Sequence, residues 1–228
     1  MIKSHKELAE FIKGKNILHM NSLGKDSAVC LEWLAKYAKP KKIMSLAFNR
    51  LAGHPDDQLY MKWQAKRYPN VEFFEQNNGY EITTIAGGVY QSPLDVMTEF
   101  NKWEYDGFSW YLQAEDFMRR HGLEFMCVGH SRYESVSRAT SFHKRGLVQG
   151  KKIYPIGLMG KKEIHSLIAK TGIKLHPSYR LAQSTFDYPS YYKMRKGFIA
   201  NPKFREQVMA VYPMLALDQY RYEVLLNE

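Results

Sequence analysis

The sequence predicts an α/β protein built on a doubly wound parallel sheet of five strands. Three observations carry this. Short apolar runs alternate with helix-patterned segments along most of the chain, the βαβ rhythm of a parallel sheet. The first such run leads through a turn of small residues directly into a helix pattern. The 228 residues are 45% hydrophobic and 25% charged, which suits one such domain with a small C-terminal appendage.

Each element has its own local reason. Ser4 and Glu7 fit a capping box, Leu8, Phe11 and Ile12 form the apolar face of a first helix, and Gly14 ends it. A strand is expected over 16–20. A helix then carries Ala28, Leu31, Leu34, Ala35 and Ala38 to Pro40, and a second strand follows over 42–48. His54-Pro55-Asp56-Asp57 opens a helix marked by Leu59, Tyr60, Trp63 and Arg67, and a third strand is read at 71–74. Residues 77–108 break the rhythm with Gly and Pro punctuation and many aromatics, the pattern of a lid or binding loop. A helix from Ser109 to Gly122, a buried strand over 123–128, a fifth strand over 153–156 and a helix over 162–171 complete the repeat. The expected division is an α/β domain at 1–179 and a basic, aromatic helical extension at 180–228 packed on it. Phe204, Val208, Val211, Leu215 and Leu225 are its candidate core.

Composition narrows the function. No apolar run approaches the length of a membrane span, and the N-terminus lacks the apolar stretch of a signal peptide, so a cytoplasmic location and no membrane partner are expected. The two cysteines, Cys30 and Cys127, cannot supply four thiolates, so no iron–sulfur cluster is expected. The formal charge is +10, and residues 151–228 hold 13 Lys and Arg against 6 Asp and Glu, which places +7 there. This permits either a nucleic-acid partner or a basic surface suited to a nucleotide. The cluster Tyr188, Tyr191, Tyr192, Lys193, Arg195 and Lys196 is equally open, between stacking on a nucleic-acid strand and helix packing. The oligomeric state is not set by the sequence, and a homodimer is left open.

The chemistry concentrates at Asn21-Ser22-Leu23-Gly24-Lys25-Asp26-Ser27. A helix start offers unpaired N–H groups and a positive dipole end, which favours an anion. Gly24 lets a phosphate approach, Ser22 and Ser27 add hydroxyl donors, and Lys25 adds a mobile charge. Asp26 fits a ligand for Mg²⁺ held on phosphates. The spacing excludes a GxxxxGK[ST] loop, because His19 stands five residues before Gly24 and Asp26 follows Lys25. A second stretch, Gly129-His130-Ser131-Arg132-Tyr133-Glu134-Ser135-Val136-Ser137-Arg138, sets two arginines and a carboxylate at the end of the fourth strand. Those arginines can meet phosphate bidentately. At the end of the second strand, Phe48 is either a nucleotide neighbour or a plain core aromatic.

The first stretch resembles the SGGKDS signature of the PP-loop ATP pyrophosphatases and the related sulfonucleotide (PAPS) reductases, with Leu23 where that family has its first glycine. The second resembles the family's G-x-x-R-x-[EQ]-S-x-x-R segment. Ile153-Tyr154-Pro155-Ile156, the helix after it and Gly172-Ile173-Lys174-Leu175-His176-Pro177-Ser178-Tyr179 resemble a third. The resemblance spans residues 17–179. It implies a Rossmann-like, adenine nucleotide alpha hydrolase-like sheet that binds ATP, or PAPS or APS, with Mg²⁺.

It also implies cleavage of ATP between the α and β phosphates and adenylylation of an acceptor, a reaction that can serve nucleic-acid modification. Ser22, Gly24 and Ser27 would hold the β and γ phosphates, and Lys25 would neutralise charge at the α–β bridge. Asp26 would bind Mg²⁺. Arg132 and Arg138 would steady the α-phosphate or the acceptor, and Glu134 would orient them. Gly129 and Ser135 would line the pocket with them, and Phe48 would neighbour the adenine. His176 is either a phosphate contact or a structural cap. The reductase branch attacks with a C-terminal cysteine, and no cysteine follows Cys127 here. Two alternatives stand beside the pyrophosphatase reading. One is a reductase-like protein lacking that cysteine. The other is a non-catalytic nucleotide-binding module that docks nucleic acid or a protein.

Overall fold

A computed structural model describes residues 1–49, 55–77, 110–182, 191–211, 213 and 215–225. Most of the 77–108 segment, Ser109 and Tyr188 lie outside the described residues.

Helix α1 (His5–Ile12) starts at the Ser4 capping box and buries Leu8 and Ile12. Strand β1 (Asn16–Asn21) leads to helix α2 (Lys25–Glu32), which widens into a π-type turn over Trp33–Ala38. Lys39, at φ 46, closes that turn before β2 (Lys42–Asn49). Helix α3 (Pro55–Arg67) and β3 (Glu72–Asn77) follow. Further along the chain come α4 (Trp110–His121), β4 (Phe125–Cys127), a 3₁₀ turn at Arg132–Glu134 and α5 (Val136–Arg145). The short hairpin β5 (Val148–Gln149) and β6 (Lys152–Ile153) precedes α6 (Lys161–Thr171).

The sheet order is β3-β2-β1-β4-β6-β5. β1 runs parallel to both β2 and β4, and β4 runs parallel to β6, while β5 is antiparallel to β6. The doubly wound α/β class is therefore observed, with a sixth strand that was not expected. A two-residue strand has no readable periodicity. It exists here because Gly150, at φ 60, turns the chain back on itself. The order reverses direction at β1, so β1 and β4 flank the switch point where such sheets open a crevice beyond their carboxyl ends.

The described residues fall into two compact units. One comprises Met1–Ala47, Asp57–Gln76 and Ala114–His176. The other comprises Phe48–Asp56, Asn77–Gln113 and Pro177–Glu228. The first holds the main core, where Ile17, Val29, Leu31, Leu34, Ile43, Cys127 and Ile153 are buried. Glu32 is buried there as well. It accepts two bonds from Arg67 at 3.1 Å and one from the Tyr68 hydroxyl at 2.6 Å, and Arg67 also donates to the Thr171 carbonyl at 2.7 Å. Buried charge needs this degree of pairing, and it ties α2, α3 and the end of α6 together.

The second unit contains α7 (Ser178–Ala182), α8 (Tyr191–Ala200), α9 (Pro202–Val211) and α10 (Leu215–Tyr220). Tyr191, Met194, Phe198, Phe204, Val208, Leu215 and Tyr222 form its core. Among the residues of the basic–aromatic cluster, Tyr191 packs inside this core and Arg195 donates to the Tyr222 hydroxyl, whereas Lys196 is exposed. Among the described residues, no helix is long and apolar enough to cross a membrane.

Candidate functional site

The candidate site is the junction of β1, the start of α2 and the segment after β4. Beyond Asn21 the chain turns sharply at Leu23, whose φ of 58 is left-handed. A left-handed residue other than glycine costs about 1–2 kcal/mol. That explains the glycine of the resembled signature at this position. Here the leucine side chain is buried against Ala47 and Tyr60, which offsets that cost. The buried Asn21 fixes the turn. Its Oδ1 accepts the Leu23 N–H at 3.1 Å, and its amide donates to Gln64 at 2.7 Å.

Gly24 is the N-cap of α2 in extended conformation, with no side-chain cap. A glycine cap brings no side chain of its own to a helix start, where the positive dipole end favours an anion. Ser22 donates to the Ser27 hydroxyl at 3.2 Å, Ser27 donates to the Gly24 carbonyl at 3.0 Å, and the Gly24 N–H reaches Ser22 Oγ at 3.4 Å. Three of the expected phosphate-binding residues thus form one closed set around the helix start.

His19, buried in β1, supports this set from beneath. Its Nε2 donates to the Ser27 carbonyl at 2.9 Å and its Nδ1 accepts from Ser45 at 3.0 Å, because a carbonyl can only accept. Burial pushes its pKa down to about 4, against a smaller opposing effect of the Ser27 bond, so the ring is neutral. The sequence reading passed over His19, although a histidine inside an apolar strand was the available signal.

Tyr133 joins the two motifs. Lys25 Nζ lies 2.6 Å from Asp26 Oδ2 and also donates to the Tyr133 hydroxyl, while that hydroxyl donates to the Asp26 carboxylate at 3.0–3.1 Å. The Lys25 ammonium stands 5.1 Å from the Tyr133 ring centroid. Burial opposes the lysine's charge, but the bonds to Asp26 and Tyr133 outweigh it and raise its pKa. Burial likewise raises that of Tyr133, which stays protonated at neutral pH. The Lys25 and Asp26 side chains are 19% and 20% exposed, enough for a ligand to reach them. Tyr133 was not among the expected site residues. It occupies the position that the resembled pattern leaves open.

The other expected residues take distinct places. Gly129 packs on α2, and an added β-carbon would lie 2.8 Å from the Ser27 backbone nitrogen. Ser135 caps α5 by accepting the Arg138 N–H at 3.2 Å. Glu134 accepts the Ser131 N–H at 2.7 Å and pairs with Arg138 at 2.6 Å. Arg138 also reaches His130 at 3.4 Å. The His130 pKa is lowered by burial first and by the Arg138 charge second. Arg132 lies half-exposed with its guanidinium 3.5 Å from Glu163. Phe48 is half-buried near the end of β2, in the second unit. His176 is buried and pairs with Asp57 at 2.9 Å.

For a magnesium ion, Asp26 supplies an oxygen ligand of the right class, and the phosphates of a nucleotide would supply the others. Among the described residues, no group of three or more His, Cys, Asp or Glu side chains is arranged to hold a metal.

No family model matches the chain, and no curated protein matches it in sequence. Solved structures match its fold. The U34-tRNA thiolase NcsA from Methanococcus maripaludis, solved with its [4Fe-4S] cluster, superposes with a TM-score of 0.51 at 13% identity, over 96% of this chain and 79% of that one. Phosphoadenylyl-sulfate (PAPS) reductase from Candida auris, solved as a phosphate complex, gives 0.50 at 16% identity, over 78% and 84%. The chain therefore shares the Rossmann-like α/β fold of these two structures.

The thiolase corrects one expectation. The cysteine count was taken to exclude an iron–sulfur cluster, yet a protein of this fold carries one. The count excludes only a cluster held by four thiolates of a single chain. Ligands of other types, or from a second chain, lie outside that reasoning.

Proposed function

We propose that this chain is an adenine-nucleotide enzyme that cleaves ATP between the α and β phosphates. An acceptor oxygen attacks the α-phosphorus, the bond to the α–β bridging oxygen breaks, and pyrophosphate leaves with that oxygen. The acceptor keeps the AMP moiety, or AMP is released when water attacks. The observation that carries this reading is the uncapped start of α2, ringed by Ser22, Gly24 and Ser27 and flanked by Lys25 and Asp26, at the sheet's switch point.

Catalysis of this kind is mostly positioning and charge stabilisation. In this reading the first-turn N–H groups and both serines hold the β and γ phosphates. Lys25 sets its charge against the α–β bridge. Asp26 would hold Mg²⁺, which supplies charge neutralisation on the phosphates. Arg138, oriented by Glu134, steadies the α-phosphate or the acceptor, and Arg132 serves the same end once released from Glu163. Gly129 admits the close approach of α2, and Ser135 secures the helix that carries Arg138. The +7 charge of residues 151–228 supports a nucleic acid as the acceptor.

A PAPS reductase is disfavoured by the thiols. The sequence holds only Cys30 and Cys127, both buried, and burial followed by contact with Cys30 pushes the Cys127 thiol well up. Sulfuryl attack needs an accessible thiolate.

The test is product analysis after incubation with ATP and Mg²⁺. AMP and pyrophosphate are expected, and the Lys25→Ala variant should lose them. ADP and phosphate as products would contradict the reading, as would sulfite release from PAPS with a thiol donor.

A further inference from the structure

Resting on the nucleotide reading above, we propose that Tyr133 is a positioning residue that latches the phosphate turn shut in the nucleotide-free chain, and that phosphate binding works by opening the latch. Lys25 and Asp26 are consecutive residues in the first turn of α2. Consecutive side chains on a helix diverge and do not face each other. Here they meet at 2.6 Å, and the Tyr133 hydroxyl touches both.

The turn that carries Tyr133 is itself held firmly. Ser131 is buried, its hydroxyl donates to the Met159 carbonyl at 2.5 Å, and its N–H is accepted by Glu134 at 2.7 Å. The Arg132 N–H is accepted by the Gly157 carbonyl at 3.0 Å. The phenol is therefore a fixed post, and the two mobile charged side chains come to it.

Two consequences follow. The ammonium that would neutralise a polyphosphate is already neutralised within the protein, so an incoming phosphate must replace both the phenol and Asp26 as its partner. The exchange also takes the ammonium away from the Tyr133 hydroxyl, which keeps its bond to Asp26. Occupancy of the turn after β1 is thereby reported to the turn after β4, whose neighbours are Arg132 and Glu134. The resembled sequence pattern does not specify this position, so the latch belongs to this chain's own residues.

The experiment compares wild type with Tyr133→Phe, which keeps the ring and removes only the hydroxyl. Binding of inorganic pyrophosphate and of ATP, each with Mg²⁺, is measured by calorimetry. Tyr133→Phe is expected to bind both about fivefold more tightly, since a charge-assisted hydrogen bond no longer competes. In a second measurement 3-fluorotyrosine is placed at 133 in the full chain, and its ¹⁹F resonance should move when pyrophosphate is added. Equal or weaker binding by Tyr133→Phe, or a resonance that stays still while wild type binds, overturns the latch and leaves the nucleotide reading intact. If neither protein binds pyrophosphate or ATP, the nucleotide reading fails and the latch fails with it.

Discussion

Gly129, just beyond β4, lies so close to Ser27 in α2 that a β-carbon added to it would stand 2.8 Å from the Ser27 backbone nitrogen and 3.0 Å from the Asp26 carbonyl carbon. Both contacts are backbone, so neither can rotate away. The phosphate turn and the arginine-bearing segment are therefore pressed together at a point that tolerates no side chain. Gly129→Ala is expected to cost about 1–3 kcal/mol of stability by overpacking. It should also weaken ATP binding, because relief requires the start of α2 to shift. Thermal unfolding and nucleotide titration check both effects, and an unchanged affinity would separate the packing from the site.

Arg67 and Glu32 give a prediction about stability alone. Glu32 is 5% exposed and depends on Arg67 and Tyr68 for its partners. Removing Arg67 strands a buried carboxylate, an event that typically costs about 3–5 kcal/mol. Arg67→Ala should lose roughly 3 kcal/mol in urea denaturation, while the products formed from ATP by the remaining folded protein stay the same.

His19 predicts a pH dependence. Its folded pKa, about 4, lies below the ordinary 6.5 because burial disfavours the charged ring. Between those values the unfolded chain takes up a proton that the folded chain refuses. Stability therefore falls as pH drops from 6.5 towards 4, by about 3 kcal/mol in all, and His19 contributes no dependence above that window. His19→Gln keeps a donor for the Ser27 carbonyl but does not titrate. Urea midpoints measured from pH 7 to pH 4.5 should fall less steeply in this variant.

Leu23 sets two effects against each other. Leu23→Gly relieves about 1–2 kcal/mol of left-handed strain but gives up the burial of a leucine, worth roughly 1.5–3 kcal/mol. The residue is 8% exposed, so the burial loss stands near the top of its range. A net destabilisation of about 1 kcal/mol is expected. A more stable variant would show that strain dominates at this turn.

The α/β class was legible because its signals are long. The apolar runs at 16–20 and 42–48, the Ser4 capping box and the helix face of Ile164, Leu167 and Ile168 each repeat a pattern over several residues. β5 was not legible, since two residues carry no period and its cause is a single positive φ at Gly150. The phosphate turn could be read because its residue types and spacing are local. Its supports could not. Tyr133 reaches Lys25 across 108 residues of chain, and Asn21 reaches Gln64 across 43. His19 bonds Ser27 eight residues away through the back of the turn. Such pairs follow from tertiary packing, which local spacing does not encode. The partner of Arg132 was equally hidden: Glu163, 31 residues away, lies 3.5 Å from its guanidinium.

The central claim is that nucleotide phosphates sit on the start of α2, and backbone amide NMR tests it most directly. On adding ATP with Mg²⁺ to the full chain, the N–H resonances of Gly24, Lys25, Asp26 and Ser27 should shift, and adenosine alone should leave them in place. Unmoved resonances at those four residues, while ATP binds elsewhere in the chain, would contradict the account.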